Sequence, residues 1–155
     1  SDELVSALDF SIQALVLNLL EDLHHDLNLI LIFIAHDLSV VEHISQRVAV
    51  MYVGRLVELA KTRDLYFTPQ HPYTEALMAA IPKPDPGKRE RPIKLPGEVA
   101  SPINPPSGCY FHPRCRYAKD ICVNETPPLK ELSPDHWSVC HFAGELSLRG
   151  IVANS

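Results

Sequence analysis

Leu29-Ile30-Leu31-Ile32-Phe33-Ile34-Ala35-His36-Asp37 is the stretch that decides how this chain is read. Seven apolar residues run without alternation, the longest such run in the sequence. That is far short of the roughly 20 a membrane-spanning helix needs. It fits a strand covered on both faces. His36-Asp37 closes it with polar side chains. Upstream, Ile12, Leu15, Val16, Leu19, Leu20, Leu23 and Leu27 fall at helical spacing with one apolar stripe. Asp9 suits the N-cap of that helix, and Asn28 punctuates its end. Downstream, Ser39 and Glu42 match a capping box for a short helix through Gln46. Arg47–Tyr52 and Arg55–Leu59 are rich in β-branched residues and flank Gly54, as in a hairpin. Helix, strand, helix and hairpin in this order predict the tail of an α/β sheet domain.

Further out, Arg63–Phe67 and Pro72–Ile81 read as two short helices, the second with proline in its first turn. From Pro82 the texture changes. Pro82, Pro84, Pro86, Pro92, Pro96, Pro102, Pro105 and Pro106 interrupt any helix, and an extended linker over 82–106 is predicted. Residues 107–146 hold all four cysteines and little hydrophobic periodicity, so an irregular extension held by a staple is expected there. Residues 147–155 form a tail. The domain reading is therefore 1–81, 82–106, 107–146 and 147–155. Residues 1–60 carry 9 acidic and 2 basic side chains, against 10 and 12 in residues 61–155, which suits segments with different tasks. A net charge of −5 argues against a nucleic-acid binder. Ser1-Asp2-Glu3 does not read as an export signal, so a cytosolic setting is expected. In that setting clustered cysteines favour metal over disulfides.

Two sets of residues suggest chemistry. In the first, adjacent carboxylates such as Asp2 and Glu3 can divide two tasks, one holding Mg²⁺ and the other polarising a water that attacks a γ-phosphate. A histidine past a buried strand, here His36, can donate to that phosphate. The second set is Cys109, Cys115, Cys122 and Cys140, spaced C-x5-C-x6-C-x17-C. Four thiolates complete a tetrahedral zinc site or hold a [4Fe–4S] cluster. Neither C-x2-C pair of the usual structural zinc signature is present, which ranks iron–sulfur ahead of zinc. The plain alternative is four unconnected cysteines. Arg114 and Arg116 are candidates to neutralise an anionic cluster. Trp137 is expected to pack over the module. His141 is expected beside the ligands or exposed, His136 at the surface, and His71-Pro72-Tyr73 in a structural role at a helix entry.

Asp2-Glu3-Leu4-Val5-Ser6-Ala7-Leu8-Asp9 resembles the Walker B motif and D-loop of ABC-transporter ATPases, and Ile34-Ala35-His36-Asp37-Leu38 resembles their switch-histidine loop. The resemblance continues through Arg47–Tyr52, Gly54–Glu58, His71-Pro72-Tyr73-Thr74, Pro105–Cys109 and Phe111–Cys115, over roughly 1–146. These segments look like the ATP-binding subunits of oligopeptide and dipeptide importers. The resemblance implies the C-terminal part of a P-loop ABC ATPase domain, with ATP and Mg²⁺ as ligands. It implies that Asp2 orders the Mg²⁺ shell, that Glu3 is the catalytic glutamate and His36 the switch histidine. Ser6, Ala7, Leu8 and Asp9 match the D-loop that crosses a dimer interface. Leu4 departs from the proline usual there. The implied partners are a second ATPase subunit, membrane permease subunits and, indirectly, an extracytoplasmic peptide-binding protein, with the protein peripheral on the cytoplasmic face. Some members carry a [4Fe–4S] cluster on the C-terminal motif.

Two family motifs are absent from these 155 residues. A phosphate cradle needs Gly, four residues, then Gly-Lys-Ser/Thr. The only Gly-Lys is Gly87-Lys88, followed by Arg89, and no Gly-Gly of a signature loop occurs. The isolated chain is therefore expected to lack ATPase activity. The rival reading is a non-catalytic iron–sulfur or zinc interaction module with the first 60 residues as scaffold. An ABC ATPase outside transport is a further rival, disfavoured by the importer-like tail.

Overall fold

The computed structural model describes residues 10–81 and 93–151. The chain divides into two compact units, residues 1–46 and 47–155.

In the first unit, helix α1 spans Phe10–Leu27. It ends as its sequence dictates. Asn28 takes the left-handed conformation at φ 49°, and the Leu29 amide reaches back to the His24 carbonyl at 3.2 Å. That bond, with asparagine in the position glycine usually holds, satisfies a terminal carbonyl in Schellman fashion. Helix α2 spans Leu38–Ile44. Its cap is Asp37, not Ser39 as the capping box suggested: the Asp37 carboxylate accepts from the Ser39 and Val40 amides at 2.9 and 3.4 Å. The carboxylate two residues upstream reaches two of the orphan amides, so the helix starts earlier.

The strand expected over Leu29–Ala35 is corrected. Only Ile34 enters a bridge, and Ile30 and Ile32 are 95% and 78% exposed. An apolar run becomes a two-face-covered strand only when neighbours pair along its length. Among the described residues no strand does so. With Leu15, Leu19 and Leu27 of α1 also exposed, this unit presents a broad apolar surface.

The second unit is built on a four-stranded antiparallel sheet. Strands β1 (Arg47–Tyr52) and β2 (Arg55–Lys61) form the expected hairpin. Its two-residue turn puts both Val53 and Gly54 at positive φ, 48° and 71°. That is the arrangement that matches strand twist, although a β-branched valine accepts it only under constraint. Val48, Val50 and Tyr52 alternate inward. The register slips after Val50, so Val57 bulges, and Val57 and Glu58 are buried in succession. Helices α3 (Thr62–Phe67) and α4 (Pro72–Met78) follow. His71 caps α4, its Nδ1 accepting from the Tyr73 amide at 3.1 Å, with Pro72 in the first turn.

The cysteine-bearing segment is more regular than expected. It holds a 3-10 turn at His112–Arg114, helix α5 (Asp120–Asn124), and strands β3 (Lys130–Ser133) and β4 (His136–Ser138). Strand β4 pairs with β2, so the sheet order is β1-β2-β4-β3. Tyr66, Leu65, Met78 and Phe111 lie at the centre of the core. Buried Glu75 of α4 ties the later segment down. It accepts from the Arg116 guanidinium at 2.8 Å, the Tyr117 hydroxyl at 3.1 Å and the Arg149 amide at 3.0 Å. Gly150 then passes so close to α3 that a Cβ would lie 2.2 Å from the Phe67 carbonyl oxygen.

Candidate functional site

Cys109, Cys115, Cys122 and Cys140 line one pocket, together with His71, Phe111 and Phe142. Each is placed by local chain geometry. The Cys109 amide donates to the Cys122 carbonyl at 2.8 Å, holding the segment before Cys109 against the end of α5. Gly108 makes this approach feasible: at φ 62° it carries no Cβ, and one would sit 2.4 Å from the Cys122 oxygen. Cys115 closes the 3-10 turn, with its amide on the His112 carbonyl at 3.2 Å. Cys140 follows β4 by two residues. Its predecessor Val139 donates to the bulged Val57 carbonyl at 2.8 Å, which fixes the strand exit.

All four are free thiols. Burial pushes the Cys115 thiol up to about 12 and the Cys140 thiol to about 11, with the neighbouring cysteines adding to the rise. Burial also raises Cys109. Working against burial, backbone amides point at the sulfurs: those of Phe111 and His112 at Cys109, Tyr117 at Cys115, and Phe142 at Cys140. Amides aimed at sulfur favour its anionic form, the form that binds metal. Four soft donors on one largely apolar wall, three of them met by main-chain N–H groups, fit a zinc ion or an iron–sulfur group. Among the described residues no group of three or more His, Cys, Asp or Glu is disposed to hold a metal ion as it stands. The expected ligation therefore rests on a shared pocket, not on a formed ion centre.

A family model described as oligopeptide/dipeptide transporter, C-terminal region, matches residues 57–122. The chain is 57% identical over 141 residues to a probable peptide ABC transporter ATP-binding protein of Sinorhizobium fredii. It is 54% identical over 145 residues to the oligopeptide transport ATP-binding protein AppF of Bacillus subtilis. These alignments take in 91% and 92% of this chain. Along some nine tenths of its length the chain is similar to ATP-binding proteins of peptide ABC transporters. It spans about two fifths of the length of these two relatives, 40% and 44%. The stretch matched to the transporter C-terminal region contains His71-Pro72-Tyr73 and three of the cysteines, and stops at Cys122.

Of the residues that the resemblance assigned to ATP chemistry in this family, Asp2, Glu3, Ser6, Ala7, Leu8 and Asp9 lie outside the described residues. His36 is exposed, one residue before the Asp37 cap of α2. Arg114 and Arg116 are not on the cysteine pocket. Arg116 pairs with Glu75, and the Arg114 Nε donates to the Pro96 carbonyl at 3.1 Å. Trp137 lies in β4 with the Arg47 guanidinium 5.7 Å from its ring centre. His112 and His141 do line the pocket. Each has one ring nitrogen engaged with the main chain, at the Cys109 carbonyl (2.9 Å) and the Glu125 carbonyl (2.9 Å).

His136 was expected at the surface and is buried. Its Nε2 meets the Glu58 carboxylate at 2.7 Å. Glu58, fully buried, also accepts from the amides of Gln70 at 2.7 Å and His71 at 3.0 Å. A buried carboxylate needs such partners. The charge on β2 thus gathers β4 and the start of α4 around itself. Sequence reasoning missed Glu58. The available signal was the one acidic residue in the alternating strand Arg55–Leu59, set between apolar neighbours, which calls for a partner elsewhere. Burial drives the His71 pKa down to about 3, so its imidazole is neutral at ordinary pH.

Proposed function

We propose that this chain is the C-terminal part of an ATP-binding subunit that drives oligopeptide or dipeptide uptake. The observation that carries this reading is identity above 50% to peptide-transport ATP-binding proteins along some nine tenths of the chain. In the complete subunit Asp2 orders Mg²⁺, Glu3 polarises the attacking water, His36 contacts the γ-phosphate of ATP, and Ser6–Asp9 form the D-loop facing a second ATPase subunit. Such a subunit sits on the cytoplasmic face of membrane permease subunits, which receive peptide from an extracytoplasmic binding protein. No helix among the described residues is long and apolar enough to cross a membrane. The 155 residues hold no phosphate cradle, so alone they do not turn over ATP.

The same reading gives Cys109, Cys115, Cys122 and Cys140 a [4Fe–4S] cluster to hold. A cluster spreads its four ligands over different irons, whereas one zinc ion needs all four sulfurs at a point. The pocket that the four sulfurs share supports a common ligand for them. When bound, the group supplies a covalent staple joining the start, middle and end of the segment.

Two experiments test these statements. The chain is first fused behind the preceding part of the Bacillus subtilis relative. ATP hydrolysis by the fusion, lowered about 100-fold or more by Glu3→Gln, is the expected result. Hydrolysis that survives the substitution overturns the assignment. Next, anaerobic purification should give about four irons and matching sulfide per chain. Stoichiometric zinc replaces the cluster with an ion, and metal-free folded chain removes the metal reading.

A further inference from the structure

The segment 107–109 lies against the end of α5, and each of the two carries a cysteine. The Cys109 amide donates to the Cys122 carbonyl at 2.8 Å. On either side, the Ser107 hydroxyl donates to the Val123 carbonyl at 2.8 Å and the Thr126 hydroxyl to the Gly108 carbonyl at 3.4 Å. Among the described residues, no other main-chain bond joins two of the four cysteines. A main-chain bond of that length puts the two Cα atoms about 5–6 Å apart. Disulfides span Cα separations of about 4.4–6.8 Å. Direction agrees with distance, since both side chains line the same pocket and both thiols are free. The two differ in access: Cys122 is buried, whereas Cys109 is half-buried.

We propose that Cys109 and Cys122 are a redox pair, closing a disulfide when the four thiols hold no metal and a hydroperoxide is present. The more accessible Cys109 reacts first. Its thiolate attacks the terminal oxygen of ROOH, the O–O bond breaks, ROH leaves with the proton the thiol gave up, and Cys109 becomes a sulfenic acid. The Cys122 sulfur then attacks the Cys109 sulfur. An S–S bond replaces the S–O bond, and the hydroxyl leaves as water with the Cys122 proton. Two thiols lose two electrons and two protons, and the hydroperoxide is reduced to ROH and water. Burial raises the Cys109 thiol, so the first step is slow at neutral pH. The disulfide withdraws two of the four sulfurs from any shared ligand. Its formation does not depend on the metal reading, whereas its effect on metal loading rests on that reading.

To test the pair, the reduced, metal-free full chain is treated with hydrogen peroxide at pH 8 and the remaining thiols are blocked. Trypsin, cutting after Arg114, Arg116 and Lys130, puts the four cysteines in four peptides, so mass spectrometry assigns every crosslink. The Cys109–Cys122 crosslink is expected to exceed each other pair about tenfold, because the fold already holds its Cα atoms at disulfide distance. In concentrated urea the shorter loops Cys109–Cys115 and Cys115–Cys122 close more readily, and that preference should vanish. Gly108→Ala, whose Cβ would lie 2.4 Å from the Cys122 carbonyl oxygen, should lower the yield about tenfold, while Cys115→Ser should leave it unchanged. A different dominant pair, the same pattern with and without urea, or an undiminished yield in Gly108→Ala overturns the proposal. Zinc uptake by the oxidised chain should then fall about tenfold or more below that of the reduced chain, and equal uptake overturns the effect on loading. A reduced chain that takes up neither zinc nor iron defeats the metal reading alone, and the peptide map still judges the pair.

Discussion

Lowering the pH from 7 to 5 should destabilise the unit formed by residues 47–155 through one buried imidazole. His71 has a folded pKa of about 3, against 6.5 when solvated, and desolvation by burial is the main cause. Its neutral form is built into the structure, since Nδ1 must accept from the Tyr73 amide. Below pH 6.5 the unfolded chain takes up a proton that the folded chain refuses. The stability due to the neutral ring is therefore complete above about 6.5 and drains as pH falls, until the folded group itself titrates near 3. Each pH unit in that window costs about 1.4 kcal/mol, so pH 5 removes about 2 kcal/mol. Against a typical domain stability of about 5–15 kcal/mol this is a large fraction. The assay is urea unfolding of the metal-free, reduced chain, followed through Trp137, the single tryptophan, which lies in β4. His71→Gln removes the titrating group. The difference between the two proteins in stability lost from pH 7 to 5 isolates it from every other carboxylate and histidine. Parallel losses in the two proteins would refute the burial argument.

Further outcomes follow from geometry. Gly108→Ala places a Cβ 2.4 Å from the Cys122 carbonyl oxygen at φ 62°. It should cost at least about 2 kcal/mol in urea unfolding, and an unchanged midpoint would show that the 107–109 segment does not pack against α5. Replacing Ile30 and Ile32 together with lysine removes two of the most exposed apolar side chains. Sedimentation should show less self-association of the isolated chain, because large uncovered apolar patches and flat apolar edges drive it. No change would mean that this surface is not sticky in solution.

The sequence made the local elements readable and left the distant ones dark. Helix α1 carries its own stripe and its own terminator in Asn28. The β1–β2 hairpin is announced by β-branched residues around Gly54, and α4 by His71-Pro72. Each is decided within a few residues. The Leu29–Ala35 run misled because a strand is made by its neighbours, and among the described residues only Ile34 of this run enters a bridge. Asp37 displaced Ser39 as a cap within the same turn, a competition between side chains two residues apart that the capping-box pattern alone does not resolve. His136 looked exposed because its partner, Glu58, is 78 residues away. Cysteine spacing suggested a shared task for the four thiols. It did not reveal that β4, between Cys122 and Cys140, joins the sheet of the distant hairpin and so brings Cys140 to the pocket.

The strand order β1-β2-β4-β3 also bears on how the molecule is made. A ribosome delivers β2 long before β4, and Glu58 emerges with no imidazole to meet it. The hairpin can close early, but its carboxylate must remain hydrated until β4 arrives with His136. Burial of Glu58, docking of α4 and arrival of Cys140 then become one event, set off when β4 emerges. A nascent chain halted at Ser133, before His136 exists, would hold β1 and β2 beside an unquenched charge. Completion of this unit is thereby tied to the arrival of β4.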